Sequence, residues 1–127
     1  MRGDAWSVQS AGLLTPLYGV SGIDARNVWA VGFGGPLLRW DGVRWSTPPF
    51  ESNYDLFGVW ASDAGNVWAV GGHALTRPGS MIQRWNGKRW VDWSYGTSRR
   101  LWGVWGSDAS NVWVVGMGGT ILRYRGK

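Results

Sequence analysis

One histidine, His73, and one glutamate, Glu51, stand in this chain of 127 residues, and there is no cysteine. Acid–base catalysis, a thiolate nucleophile or a metal cluster needs titratable groups in company at a recognisable spacing. His73 and Glu51 have no such companion in sequence, and neither a G-x-S-x-G elbow nor a G-x-x-x-x-G-K-[ST] phosphate loop occurs. The expectation is a non-enzymatic chain with no catalytic residues, no metal and no cofactor.

The aspartates do carry a spacing. Asp24, Asp63 and Asp108 each precede an asparagine by three positions, at Asn27, Asn66 and Asn111. A carboxylate so placed accepts N–H bonds from the backbone just after it, which makes an Asx turn and a structural role. Arg39, Arg84 and Arg123 share a second recurring position, and Arg44 and Arg89 a third, each beside an aromatic residue in most copies. An arginine stem and guanidinium can lie over such a ring. The net charge of +5 is therefore dispersed rather than gathered into a nucleic-acid patch.

These residues recur because the chain repeats itself. LYGVSGIDARNVWAVG starts at Leu17, LFGVWASDAGNVWAVG at Leu56 and LWGVWGSDASNVWVVG at Leu101. Self-similarity at a period of roughly 40 residues, in short Gly-punctuated runs, marks a radial or stacked repeat of four-stranded units. Strand a is the GVW-like run, strand b is NVWAVG, strand c is LLRW, MIQRW or ILRY, and strand d is RWS or RWVDW. Asp41-Gly42 and Asn86-Gly87 stand between c and d as hairpin turns, expected to put both central residues at positive φ. No segment keeps a helical period, so the class is all β.

The order D-x-x-N-V-W-A-V-G, G-G-T-I-L-R, D-G-x-x-W resembles the blade grammar of BNR or Asp-box propellers and of NHL-like propellers. That resemblance implies a β-propeller of four-stranded antiparallel blades. Blade one covers about 17–47, blade two about 56–95 and blade three about 101–127. Blade three lacks a strand d, whereas Arg2 to Ser7 align with Asp41 to Ser46. Residues 4–9 are thus expected to act as strand d in blade three of a partner chain. Propellers usually close with about four to eight blades. A homodimer of six blades follows, with Trp6, Val8, Ile121 and Tyr124 at its seam.

Eleven of the twelve tryptophans fall on shared repeat positions and read as packing between blades; Trp93 alone does not. Binding is assigned to the longer b–c and d–a loops, at Phe33, Tyr54, His73, Arg77, Trp93, Tyr95, Arg99, Arg100 and Met117. The favoured function is lectin-like carbohydrate binding, made strong by repeated weak sites. The alternative is a protein-interaction scaffold for an acidic partner, or a fragment or engineered propeller with no ligand of its own. No nucleic-acid or membrane partner is expected, since no apolar run nears the roughly 18 residues of a spanning helix. The start shows no secretory leader, and a cytoplasmic location is favoured.

Overall fold

Asp24 closes the first hairpin by accepting the Arg26 N–H at 2.8 Å and the Asn27 side-chain amide at 2.9 Å. Asp63 repeats this with Gly65 at 2.8 Å and Asn66 at 3.0 Å, and Asp108 with Ser110 at 2.8 Å and Asn111 at 3.0 Å. The Asx turns expected from the spacing are therefore the a–b turns of three like sheets. The computed structural model describes residues 6–8, 15–34, 36–47, 55–72, 80–93 and 100–126.

The first sheet holds β1 (Leu17–Asp24), β2 (Asn27–Gly32), β3 (Leu37–Trp40) and β4 (Trp45–Ser46), in that order. The second holds β5 (Asp55–Asp63), β6 (Asn66–Gly72), β7 (Ser80–Trp85) and β8 (Trp90–Asp92). The third has β9 (Leu101–Asp108), β10 (Asn111–Gly116) and β11 (Thr120–Arg125), with a short 3-10 turn at Met117–Gly119 before β11. All neighbouring strands are antiparallel. Among the described residues the third sheet has no fourth strand, and Trp6 to Val8 lie outside any strand.

The c–d turns differ from expectation in one respect. Positive φ occurs at Gly42 (100°) and Gly87 (98°), but at no described non-glycine residue. Asp41 and Asn86 fold their side chains over the turn instead. Asp41 accepts the Val43 and Arg44 N–H groups at 2.8 and 2.9 Å, and Asn86 those of Lys88 and Arg89 at 2.9 and 3.0 Å. The Asp41 N–H donates to the Arg44 carbonyl at 3.3 Å, so the turn is centred one residue later than expected. Glycine then stands first of the two central residues, as in a type II′ hairpin.

Strand alternation gives every sheet two faces. One face of blade one, with Trp29, Val31 and Leu37, packs on Leu56, Val59, Ala61, Val67 and Ala69 of blade two. The opposite face of blade two, with Trp68, Val70 and Ile82, packs on Leu101, Val112 and Val114 of blade three. The innermost strands come closest. A Cβ on Gly58 would lie 3.1 Å from the Gly103 Cα, so no larger residue fits between β5 and β9 at that height. Among the described residues, blade two thus packs on another blade through both faces, and blades one and three through one face each.

Candidate functional site

The repeated polar residues form one relay in each blade. The aspartate of the a–b turn holds the asparagine amide, and the asparagine carbonyl oxygen accepts from the arginine of strand c. Arg84 donates to Asn66 at 2.6 Å and Arg123 to Asn111 at 3.2 Å, and Arg39 donates to Asn27. Register places each arginine opposite the tryptophan of strand b: Trp29 with Arg39, Trp68 with Arg84, Trp113 with Arg123. Each guanidinium sits over that ring, at 5.6, 5.0 and 4.8 Å from its centroid. A cation so placed is attracted by the ring quadrupole. The arginines are first of all structural.

Asp24, Asp41 and Asp63 all titrate below the ordinary aspartate value of 3.8. For Asp24 and Asp41 the main cause is a backbone N–H, from Arg26 and from Arg44 respectively. For Asp63 partial desolvation works the other way, and the N–H groups of Gly65 and Asn66 outweigh it. These carboxylates are tied into turns as ionised acceptors, which is the opposite of what a proton-shuttling acid needs.

The two seams between blades differ in how full they are. Between blades two and three, Trp93 closes the outer end, with its ring 5.8 Å from Trp68 and 5.5 Å from Tyr124. The Trp93 backbone N–H donates to the Ile82 carbonyl at 2.8 Å. Arg84 stands among Trp68, Trp93 and Tyr124, and the remaining cavity is about 160 Å³. Between blades one and two no described residue plays that part, and a cleft of about 420 Å³ is open. Its walls include Trp85 and Trp90 of blade two and Arg39, Ser46 and Thr47 of blade one. The cleft joins tryptophan walls to the hydroxyl residues Ser46 and Thr47 and one cation, Arg39, a combination that suits a short ligand bearing an anion beside an apolar group.

The residues expected to bind are only partly brought together. Phe33 is half exposed, its N–H donating to the Pro16 carbonyl at 3.0 Å, while the Met117 N–H donates to the Arg100 carbonyl at 2.8 Å. Phe33, Arg100 and Met117 therefore share the b–c and d–a end of the blades. Tyr54, His73, Arg77, Tyr95 and Arg99 lie outside the described residues. Trp93 is set apart from that end, in the seam with Tyr124. Of the expected oligomer seam, Trp6, Val8 and Ile121 are exposed, whereas Tyr124 packs on Trp68 within the chain at 5.0 Å. Two features were missed. Tyr18, Phe57 and Trp102, one repeat position, carry exposed rings at Tyr18 and Trp102, with Tyr18 stacked 5.2 Å from Phe57. The open cleft was missed as well, although its signal is in the alignment: Pro48 stands where blade two has Trp93.

Antiparallel sheets that stack face to face, with their first strands crowded innermost, define a β-propeller. The likeness to solved propellers is close in shape and remote in sequence. YCF48 bound to D1 peptide superposes with a TM-score of 0.75 at 16% identity, over 99% of this chain and 42% of that one. YCF48 from Cyanidioschyzon merolae gives 0.71 at 18% identity, over 97% of this chain and 42% of that one. This chain spans about two fifths of the length of either neighbour. No protein-family model and no curated protein matches it.

Proposed function

We propose that this chain is a protein-interaction module that takes an extended peptide into the cleft between its first two blades. The observation that carries this reading is the cleft itself, about 420 Å³, left open at the seam where the other seam is filled by Trp93. The Trp85 and Trp90 rings offer an apolar wall, and Arg39 offers donors beyond the one directed at Asn27. The peptide this favours has an aspartate or glutamate next to an aliphatic or aromatic residue. A net charge of +5 would hasten the approach of such a segment. The propeller neighbour bound to a peptide gives the same class of ligand a precedent on this fold. No catalytic step belongs to this reading.

Carbohydrate binding gains no support from the strand-b tryptophans at the two seams. Trp29 and Trp68 are 2% and 3% exposed and each is capped by its arginine, so their faces are not offered to a sugar. Selection of a phage-displayed random peptide library on the immobilised chain tests the proposal. Enriched peptides should carry the acidic–apolar pair, and Thr47→Trp, which fills the cleft, should weaken them at least about tenfold, one decade in Kd. Phe33→Ala, at the other end of the blade, should leave them unchanged. Binding that ignores Thr47→Trp overturns the cleft, and glycan-array binding without peptide enrichment returns the function to carbohydrate.

A further inference from the structure

The stacking of blades follows a size code that the chain satisfies twice and leaves unsatisfied once. Ser21, Trp60 and Trp105 occupy the same position on strand a, facing the next blade; Gly22, Ala61 and Gly106 occupy the next position and face the blade before. At the first seam Ser21, smaller than the tryptophan of blades two and three, meets Ala61, larger than the glycine of blades one and three, and the Ser21 hydroxyl accepts the Ala61 N–H at 3.2 Å. At the second seam the large Trp60 lies on bare Gly106, where an added Cβ would come within 2.7 Å of the indole. Among the described residues this leaves a tryptophan without a socket, Trp105, 59% exposed, and a glycine without a knob, Gly22, also exposed.

The faces around these two residues agree. On blade three Trp113, Val115 and Ile121 are 39%, 48% and 65% exposed, whereas their blade-two counterparts Trp68, Val70 and Ile82 are at most 6%. On blade one Leu17 and Val20 are 45% and 69% exposed, whereas Leu56 and Val59 are 0% and 6%. A Cβ on Gly103 would meet Val115 of its own blade and nothing else, although the same position on Gly58 abuts the neighbouring strand. Farther out on the blade-one face, Ala30 and Leu38 are buried, so the open strip runs along β1. Trp6-Ser7-Val8 repeats the strand-d sequence Trp45-Ser46, and Trp6 and Val8 are almost fully exposed.

We propose that blade three receives blade one of a second copy of this chain, Trp105 seating on the second copy's Gly22, so that two chains close a ring of six blades. Because the contact is head to tail and made twice, it has C2 symmetry and terminates instead of growing into a filament. Trp6 to Val8 then pair along the free edge of β11 in the other copy, with Val8 opposite Leu122 as Asp92 stands opposite Gln83. The open strips are covered by the same surfaces that cover them inside the chain. This inference is independent of the peptide cleft, which lies wholly between blades one and two.

Light scattering on the purified chain should give twice the 14.0 kDa of one copy. Gly22→Trp, which fills the socket, should give a monomer with its β-sheet circular dichroism retained. Trp105→Ser should weaken the dimer at least about tenfold, and the double variant Trp105→Ser with Gly22→Ala, which copies the first seam, should regain it. With Val8→Cys and Leu122→Cys in this cysteine-free chain, oxidation should yield a covalent dimer on a denaturing gel. A monomeric wild type, a dimer indifferent to Gly22→Trp, or a disulfide confined to single chains would each overturn the proposal. None of these results bears on peptide binding, so the two readings fail separately.

Discussion

The two internal seams are built from the same relay and yet are unequally filled. At the first, blade one offers Ser21 and Trp29 to blade two, and a cleft of about 420 Å³ remains. At the second, blade two offers Trp60, Trp68 and Trp93 to blade three, and about 160 Å³ remains. At the outer end, Trp93 lines the smaller cavity and no described residue of blade one stands in its place. The grammar D-x-x-N-V-W with a strand-c arginine holds each sheet together, while the residues outside it decide whether neighbouring sheets seal or leave room. The repeat is therefore a scaffold, and its exceptions are where function belongs.

The comparison breaks most sharply at the shared tryptophans. Trp68→Ala should cost about 3–5 kcal/mol in urea-denaturation stability, the range for emptying a buried aromatic site. Trp29→Ala should cost less, because its seam already holds a cavity next to the ring. Equal losses at the two positions would show that the seams are energetically alike despite their volumes.

A second test exchanges the packing of one seam for that of the other. Gly106→Ala pushes a Cβ to within 2.7 Å of the Trp60 ring and of the Asn111 carbonyl oxygen, and should cost about 1–3 kcal/mol as an overpacked site. Adding Trp60→Ser rebuilds the Ser21 and Ala61 arrangement and should return part of that loss. A double-mutant cycle with no coupling between the two positions would dismiss the size code.

At the outer end of the seams the expected effect is smaller. Trp93→Ala removes ring contacts to Trp68 and Tyr124, together with a stacked cation, and should cost about 1–2 kcal/mol given roughly 0.5–1.5 per aromatic pair and a ring still 43% exposed. It should also open the second seam until its cavity approaches the first. Soaking that variant with a peptide selected on the first cleft, and finding a second equivalent of peptide bound by calorimetry, would show that the plug alone separates the two sites.

The sequence carried the sheets almost completely and the cleft hardly at all. Strands a to d were legible because NVWAVG and LLRW recur in register, and the a–b turns because Asp and Asn stand three apart. The c–d turns were legible in place but not in conformation: Asp-Gly suggested two residues at positive φ, and the carboxylate of Asp41 instead captured the Val43 and Arg44 N–H groups and moved the turn onward. The cleft depends on a residue that is missing from a seam, and absences at one repeat position show only against the others. Trp93 stands outside the repeat in sequence, and in the fold it fills a seam rather than facing the loop end with Phe33 and Met117.

The smallest effect separates the two c–d turns by charge. Asp41 and Asn86 make the same pair of N–H bonds, at 2.8–2.9 Å and 2.9–3.0 Å, but only Asp41 can titrate. Its folded pKa is depressed below 3.8 by the Arg44 and Val43 N–H groups, so its contribution is complete above the unfolded value and is lost as pH falls through the folded one. Below that point the protonated acid accepts these N–H bonds only weakly. Asp41→Asn should thus leave thermal stability at pH 7 nearly unchanged and make the chain less sensitive to acid, and Asn86→Asp should make it more so. Melting temperatures of the three proteins between pH 7 and pH 2 check this. Parallel curves would mean that the turn acids contribute no more when ionised than an amide does, and that the hydrogen bonds of both turns are equivalent at every pH.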